Sequence, residues 1–269
     1  MSNLRAFLSG GTTGILITVL ASIIRMFGNG KMKIFRLCAI LFVIFLFNQF
    51  NPCLYAEDKP IPVRVGIYVF EGAEVIDFAA PYGVFAVARR LDPSIEVFLI
   101  ADTMRSVTAQ AGLTVLPKYS LDDKPNMSTF IIPGGSGTRT EVFNQRLIDF
   151  VKALPKDTLV TSVCTGSWIL AQAGLLDNLP ATSRKEAGPN EMVPLERLKL
   201  FCPTVKPNIA RVVDVGRIIT AGGISAGMEL GFYLLERHGY DEKFISEVAR
   251  IMEYSKAREA LKNDRYVDK

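Results

Sequence analysis

Stretches with the pattern of buried strands alternate with stretches of helical spacing along most of the chain, and this alternation limits the folds open to it. Residues 63–70, 95–101 and 129–135 are apolar and rich in β-branched or aromatic side chains, as buried strands are. Helical spacing follows at 80–91 and at 139–154. Strands that alternate with helices predict a doubly wound α/β fold, a mostly parallel sheet with helices on both faces.

The later part of the chain continues this pattern. Residues 113–117 predict either a short extra strand or one arm of a hairpin, and residues 211–223 predict two short paired strands. Two helices are predicted after them, at 225–237 and 242–256. Active-site loops of such sheets lie at the carboxyl ends of the strands, so we expect the site there.

The amino-terminal residues have a different composition, which is typical of an export signal. Lys33 and Arg36 precede the apolar stretch 37–47, and a polar segment then leads to a small-residue exit. We expect a signal peptide over about 32–56 and a periplasmic location, with an uncleaved membrane anchor as the alternative. A second apolar run at 15–24 indicates a start codon assigned too early.

These patterns divide the chain into four parts. We expect a leader over 1–56, a polar, proline-containing linker over 57–62, one domain over 63–258 and a polar tail over 259–269. The length of 269 residues is compatible with a single large domain after the leader.

Charge and metal-binding side chains exclude several classes of function. The net charge is +4, and Lys and Arg form no dense run, so nothing favours nucleic-acid binding. The four cysteines and one histidine have none of the spacings of zinc sites, and we expect neither a metal nor a cofactor. The one histidine, His238, comes at a predicted helix end before Gly239, which favours a structural role.

Cys164 lies where the β-branched run 159–163 meets a helical run. A sharp strand-to-helix turn at this point would expose a nucleophile and direct helix amides at it, whereas the alternative is a thiol packed in the core. The PGGSG stretch, residues 133–137, also follows a strand. Its amides could form an oxyanion hole, or its glycines could serve a tight turn. We expect no disulfide between Cys164 and Cys202, which lie in unrelated segments.

Four segments resemble the ThiJ/PfpI superfamily, which is related to class I glutamine amidotransferases. They are VIDFAAPYGVF (75–85), FIIPGGSG (130–137), SVCTGSWILAQAGLLDNLPAT (162–182) and IITAGGISAGMELGFYLLER (218–237). The similarity is to the isonitrile hydratase-like branch, also seen as the ligand domain of AraC-type regulators. It implies that Cys164 is the nucleophile at the elbow and that Asp77 is the acid facing it. It further implies an anion-binding pocket formed by Gly135, Ser136 and Thr165.

The resemblance implies a cysteine-dependent enzyme that acts on a small electrophile and forms a homodimer. In isonitrile hydratase-like chemistry, a hydro-lyase reaction, Cys164 adds to the isonitrile carbon and Asp77 moves the proton. Water then converts the thioimidate to an N-substituted formamide. The alternatives are glyoxalase or deglycase-like chemistry at the same thiol, and a non-enzymatic ligand or redox sensor.

The chain departs from the family pattern at one point near the predicted site. Where relatives commonly read A-T-[TS]-H-W, this chain reads ATSRKE, which puts Arg184 and Lys185 at the His and Trp positions. This departure puts in doubt any reaction that relies on that histidine. We also expect helix amides near Thr165 to lower the pKa of Cys164, and the resulting thiolate to raise the pKa of Asp77.

Overall fold

The computed structural model describes residues 62–268, which form one large mixed sheet with helices packed around it and two separate two-stranded sheets. The strands are β1 (Arg64–Tyr68), β2 (Glu96–Ala101), β3 (Val107–Thr108), β4 (Thr114–Val115), β5 (Tyr119–Ser120), β6 (Thr129–Ile132), β7 (Leu159–Val163), β8 (Pro180–Ala181), β9 (Lys206–Pro207), β10 (Val212–Asp214), β11 (Ile218–Ala221) and β12 (Arg265–Val267). Eight of them form the main sheet in the order β12-β10-β11-β7-β6-β1-β2-β5. All neighbours in it are parallel except β10 and β11, which form an antiparallel pair.

The helices form two groups. They are α1 (Val75–Leu91), α2 (Thr138–Glu141), α3 (Gln145–Ala153), α4 (Ser167–Gln172), α5 (Pro194–Phe201), α6 (Ala226–Arg237), α7 (Glu242–Ile251) and α8 (Ser255–Leu261). Helices α1, α6 and α7 contact one another, and α4 contacts α2, α3 and α5. The predicted α/β class is therefore confirmed.

The core explains why the predicted strands are so apolar. Every residue of β6 and four of the five in β1 and β7 are buried. Trp168, Phe85 and Phe130 are among the largest fully buried side chains. Each such side chain stabilises the fold by about 1.5–3 kcal/mol relative to its exposure to water.

Several elements differ from the sequence prediction in their bounds. The helix predicted at 139–154 is two helices, α2 and α3, because Asn144 begins a new helix by accepting a hydrogen bond from the Leu147 amide. Residues 113–117 contribute β4, which pairs antiparallel with β3, so the hairpin alternative is correct. The polar tail predicted at 259–269 is partly regular structure: it contains the end of α8 and the edge strand β12.

The predicted leader and nearly all of the linker, residues 1–61, lie outside the described residues. Within the part of the chain that the structure describes, no helix is long and apolar enough to cross a membrane.

Candidate active site

Cys164 lies on a sharp turn directly after β7. Val163 ends the strand in extended conformation, Cys164 has a φ of 57°, and a short 3₁₀ turn then leads into α4. The left-handed region is unfavourable for a non-glycine residue and typically costs about 1–3 kcal/mol. The turn is held by the Cys164 amide, which donates to the carbonyl of Gly222 at 2.9 Å, and by its carbonyl, which accepts from Ser183 Oγ at 3.0 Å.

Asp77 lies in the first turn of α1 and is fully buried. Its Oδ2 accepts a hydrogen bond from the Gly134 amide at 2.8 Å, which joins α1 to the loop after β6. Its Oδ1 is buried without a conventional hydrogen-bond partner among the described residues. Asp77 therefore does not cap α1. Its carboxyl instead contacts the loop after β6, through the Gly134 amide, and the neighbouring Cys164.

The first two of the three glycines in PGGSG, Gly134 and Gly135, differ in their surroundings. A Cβ at Gly134 would lie 2.5 Å from Thr165 Oγ1 and 2.9 Å from the Cys164 Cβ, so the loop after β6 meets the elbow only through a glycine. Gly135 has a φ of +126° and donates its amide to Thr165 Oγ1 at 3.1 Å. Both amides are thus engaged within the protein, and the positive φ of Gly135 fits a tight turn.

A small pocket opens over Cys164. It has a volume of about 170 Å³ and includes all four of the predicted residues other than Asp77, namely Gly135, Ser136, Cys164 and Thr165. This volume is smaller than the roughly 300–1,000 Å³ of pockets for drug-sized ligands, so the pocket suits a small molecule. A wider groove of about 640 Å³, lined in part by Leu121, Met127 and Phe150, contains none of the predicted site residues.

Burial controls the ionisation of both Cys164 and Asp77. It raises the pKa of Asp77 to about 8, and the nearby Glu74 adds to this, while hydrogen bonds from the Gly134 amide and Cys164 oppose it. Burial also raises the pKa of the Cys164 thiol, and the negative charge of Asp77 raises it further.

The predicted direction of the Asp77 pKa shift is correct, but its cause is burial and not a Cys164 thiolate, because the hydrogen bond with Cys164 lowers this pKa. The predicted fall in the Cys164 pKa is wrong. The Thr165 amide does lower the pKa of the thiol, as expected, but the loss of hydration outweighs it because Cys164 is only 3% exposed. At neutral pH the pair keeps both protons.

A family model for the DJ-1/PfpI family matches residues 63–237. The chain is 30% identical over 175 residues to the isonitrile hydratase of Pseudomonas putida. This alignment covers 65% of this chain and 71% of that protein. The chain belongs to the DJ-1/PfpI family.

Another relative of this chain is a transcriptional regulator. The chain is 30% identical over 157 residues to the HTH-type transcriptional regulator GbdR of Pseudomonas aeruginosa, spanning 54% of this chain but only 40% of the regulator. Among solved structures, a ThiJ/PfpI family protein from Pseudomonas syringae superposes with a TM-score of 0.62 at 25% identity. This match covers 76% of this chain and 80% of that one.

This DJ-1/PfpI site contains charged residues that the motif analysis did not place there. Arg184 lines the pocket with Arg139, Glu74 and Glu191. The departure from the family pattern had singled out Arg184, but Arg139 and Glu191 gave no motif signal. Lys185 does not line the pocket, since its Nζ donates to the carbonyls of Ile209 and Ala210.

The remaining candidates from the sequence lie away from the pocket. His238 Nε2 shares a hydrogen bond of 2.7 Å with Thr129 Oγ1 at the start of β6, the end of the sheet opposite Cys164. Burial lowers the pKa of His238 to about 4, which agrees with the predicted structural role. Cys202 is a free thiol that contacts Asp177, so Cys164 and Cys202 are not bonded to each other.

Proposed function

We propose that this protein is a cysteine-dependent hydro-lyase that converts small isonitriles to N-substituted formamides. The observation that carries the proposal is the pairing of a strained, buried Cys164 with a protonated Asp77 beneath a pocket of about 170 Å³. The 30% identity to an isonitrile hydratase over most of that protein's length supports the choice of substrate class.

The first step uses the two protons that the Cys164 thiol and the Asp77 carboxyl keep at neutral pH. The Cys164 sulfur attacks the isonitrile carbon, and that carbon receives a proton from Asp77, which in turn takes the thiol proton. The product is a thioimidate bonded to Cys164 through a new C–S bond. Because Asp77 keeps its proton up to about pH 8, an acid is present for this step at neutral pH.

The second step releases the product. Water adds to the thioimidate carbon and transfers a proton to the nitrogen with the help of Asp77. The tetrahedral intermediate then collapses, the C–S bond breaks, and Cys164 regains its proton. The sum is the addition of one water to one isonitrile, with no oxidant or reductant.

A second candidate function is a non-enzymatic ligand sensor that uses the same pocket. The similarity to GbdR, a transcriptional regulator, favours it, as does Arg184 at the position where relatives commonly have histidine. A redox sensor is less favoured, because sensor thiols are accessible and have a low pKa, whereas Cys164 is buried and its pKa is raised. A third possibility, glyoxalase or deglycase-like chemistry at Cys164, is tested by the methylglyoxal in the substrate panel described next.

The test is a turnover assay of purified protein against a panel of isonitriles, methylglyoxal and amides. We expect formamide from isonitriles, no turnover in Cys164→Ala, and a rate about 10²–10⁴-fold lower in Asp77→Asn, as for the loss of a general acid. Cys202→Ala is the matched control and should keep the activity, since Cys202 lies outside the pocket. Turnover of methylglyoxal alone would contradict isonitriles as the substrate class and favour the glyoxalase or deglycase-like alternative. Ligand binding with no turnover of any compound would favour the sensor.

Two further proposals concern the whole protein and come from the leader and the family resemblance. We propose that the protein is exported to the periplasm, so that the mature chain begins near Glu57. Amino-terminal sequencing of native protein that finds the leader intact would contradict this and favour the anchor. We also propose a homodimer. A monomer mass by light scattering at micromolar concentration would contradict it.

A further inference from the structure

Two arginines converge on one carboxylate at the pocket that contains Cys164. Arg139 Nη2 contacts Glu191 Oε1 at 2.6 Å, and Arg184 Nη2 contacts Glu191 Oε2. The Gly188 amide donates to the same Oε2 at 3.1 Å. The Glu191 side chain is only 15% exposed. Three donors, one from α2 and two from the loop that carries Glu191, thus surround a single carboxylate, which is the arrangement that proteins use to bind carboxylate ligands.

Arg184 is close enough to the reactive pair to affect it. Its positive charge lowers the pKa of both Cys164 and Asp77. Its side chain packs over Gly223, where a Cβ would lie 2.5 Å from Arg184 Cγ. The absence of a side chain at Gly223 therefore makes room for the arginine. Arg184 Nε is buried and has no acceptor within residues 62–268, which leaves a donor unused.

Glu191 is suited to leave this position when an anion arrives. It lies between β8 and α5, outside any helix or strand, and its carboxyl is held by ion pairs and one amide rather than by packing in the core. Exchange of one carboxylate for another keeps the same charge-assisted hydrogen bonds, so the exchange itself costs little.

We infer that Arg139 and Arg184 form a subsite for a substrate carboxylate, which Glu191 occupies when no substrate is bound. The substrates are then small electrophiles that carry an anionic group. This inference rests on the proposed function for its substrate class. Glu74, also in the lining, opposes anion binding, but the neutral Asp77 does not.

The test compares two alkylating reagents that differ in charge. Iodoacetate and iodoacetamide both form a C–S bond at Cys164 and release iodide, and the thiol proton goes to solvent. Both react with the same thiolate, so the ratio of their rates is independent of the thiol pKa. Rates are measured on the Cys164 peptide by mass spectrometry, and the ratio is divided by the corresponding ratio for glutathione.

We expect the normalised ratio to exceed one in the wild type and to rise several-fold in Glu191→Gln, where the competing carboxylate is gone. It should fall about tenfold or more in Arg184→Met, since a charge-assisted hydrogen bond is lost, and less in Arg184→Lys, which keeps the charge. Arg139→Met, a change at a half-exposed side chain on α2, should also lower it and guards against misfolding of the Arg184 variants. A ratio that is unchanged in Arg184→Met and Arg139→Met, or that falls in Glu191→Gln, overturns the inference.

This readout needs no isonitrile turnover, so the two proposals can fail separately. Turnover of neutral isonitriles together with a ratio equal to that of glutathione would overturn the subsite only. A raised ratio with no isonitrile turnover would overturn the hydratase and leave the subsite. If both hold, the ratio of kcat/KM for isocyanoacetate to kcat/KM for methyl isocyanoacetate should drop at least tenfold in Arg184→Met, since the effect of the lost charge on Cys164 and Asp77 is common to both compounds. Equal drops for both compounds would overturn the anionic substrate class.

Discussion

Asp77 illustrates at the scale of one residue how burial and function are connected. The carboxyl is fully buried in the first turn of α1, and one of its oxygens accepts only the Gly134 amide. A carboxylate in such a place loses most of its hydration, which raises its pKa to about 8. The group is therefore an acid at neutral pH, the form that a proton donor needs.

This burial predicts that Asp77→Asn stabilises the protein at neutral and alkaline pH. The unfolded chain ionises Asp77 near its ordinary pKa of 3.8, whereas the folded chain does so near 8. Between these values the unfolded state loses a proton that the folded state keeps, so wild-type stability falls as the pH rises through this window. At about 1.4 kcal/mol per unit of pKa difference, the variant should gain about 2–5 kcal/mol at pH 8 and nothing near pH 4.

Denaturant unfolding of both proteins at pH 4, 6 and 8 checks this prediction. Asp92→Asn is a control of opposite sign, because hydrogen bonds from Tyr240 and Ser94 lower the pKa of Asp92. That variant should be less stable than the wild type at pH 7, and the difference should shrink as the pH falls. An Asp77→Asn protein with the same stability gain at every pH would contradict the titration.

The alkylation of Cys164 by iodoacetamide should follow the ionisation of the pair. In the wild type we expect the rate to rise through an inflection near pH 8, where the pair loses its first proton and the remaining proton is shared. In Asp77→Asn this inflection should disappear, because only the thiol can then ionise. Rates at Cys164 between pH 5 and 10 provide the measurement. Identical profiles in both proteins would show that Asp77 and Cys164 titrate independently.

At the scale of elements, the contact between α1 and α6 depends on small side chains. A Cβ at Gly231 would lie 2.9 Å from the Val84 Cβ and 3.3 Å from the Pro81 Cα, so the two helices meet without room for a methyl group. Since α1 carries Asp77 in its first turn, this contact helps to fix the position of Asp77.

We therefore predict that Gly231→Ala destabilises the protein by about 1–3 kcal/mol, the usual cost of overpacking, despite the better helix propensity of alanine. Gly83→Ala is the matched control in α1, where a Cβ would meet nothing within 4 Å. It should gain about 0.5–1 kcal/mol. Thermal unfolding of both variants provides the comparison, and equal effects would mean that the helices move apart at no cost.

The strands and helices with strong periodicity were predictable from the sequence, and the elements with polar partners were not. The apolar runs at β1, β6 and β7 have one stable place, inside a parallel sheet. The break between α2 and α3 depends on a single side-chain cap by Asn144, and β12 gains its place only by pairing with β10. Neither signal is visible in periodicity.

The site likewise contains residues that the sequence predicts and residues that it does not. The elbow at Cys164 has a local signature, and the facing role of Asp77 came from the family resemblance. The ion pair of Glu191 with Arg139 joins separate segments, and its pair with Arg184 lies within one irregular loop, so no regular spacing in the sequence indicates either pair. The pKa of Cys164 was mispredicted because the sequence shows the helix amides but not the extent of burial.

At the scale of the whole molecule, the sheet is completed by the last strand of the chain. β12 pairs in parallel with β10 at the edge of the sheet. Arg265 of this strand contacts Glu236 at 2.6 Å and lies 4.8 Å from the centre of the Tyr233 ring. Residues far from the pocket thus cover the β10 edge and hold it to α6.

A chain that ends after Asp264 should be less stable by about 1–3 kcal/mol, since it loses the strand pairing and the contacts of Arg265. That loss lowers the Tm by roughly 2–4 °C for each kcal/mol in a protein of this size. The exposed β10 edge should also promote self-association, visible by size-exclusion chromatography. A chain that ends after Asp268 retains β12 and the hydrogen bond from the Asp268 amide to Asp214, and it should behave as the wild type. Equal Tm values for all three would show that β12 is dispensable.

The left-handed backbone at Cys164 has a consequence for the history of this chain. Glycine adopts a φ of 57° without strain and asparagine does so more easily than most residues, whereas cysteine is strained there. Random substitution followed by selection for stability alone would replace the cysteine at this position with one of those two residues. Stability alone would therefore favour another residue here, so the reason for a cysteine at this position lies in the chemistry of its thiol and not in the fold.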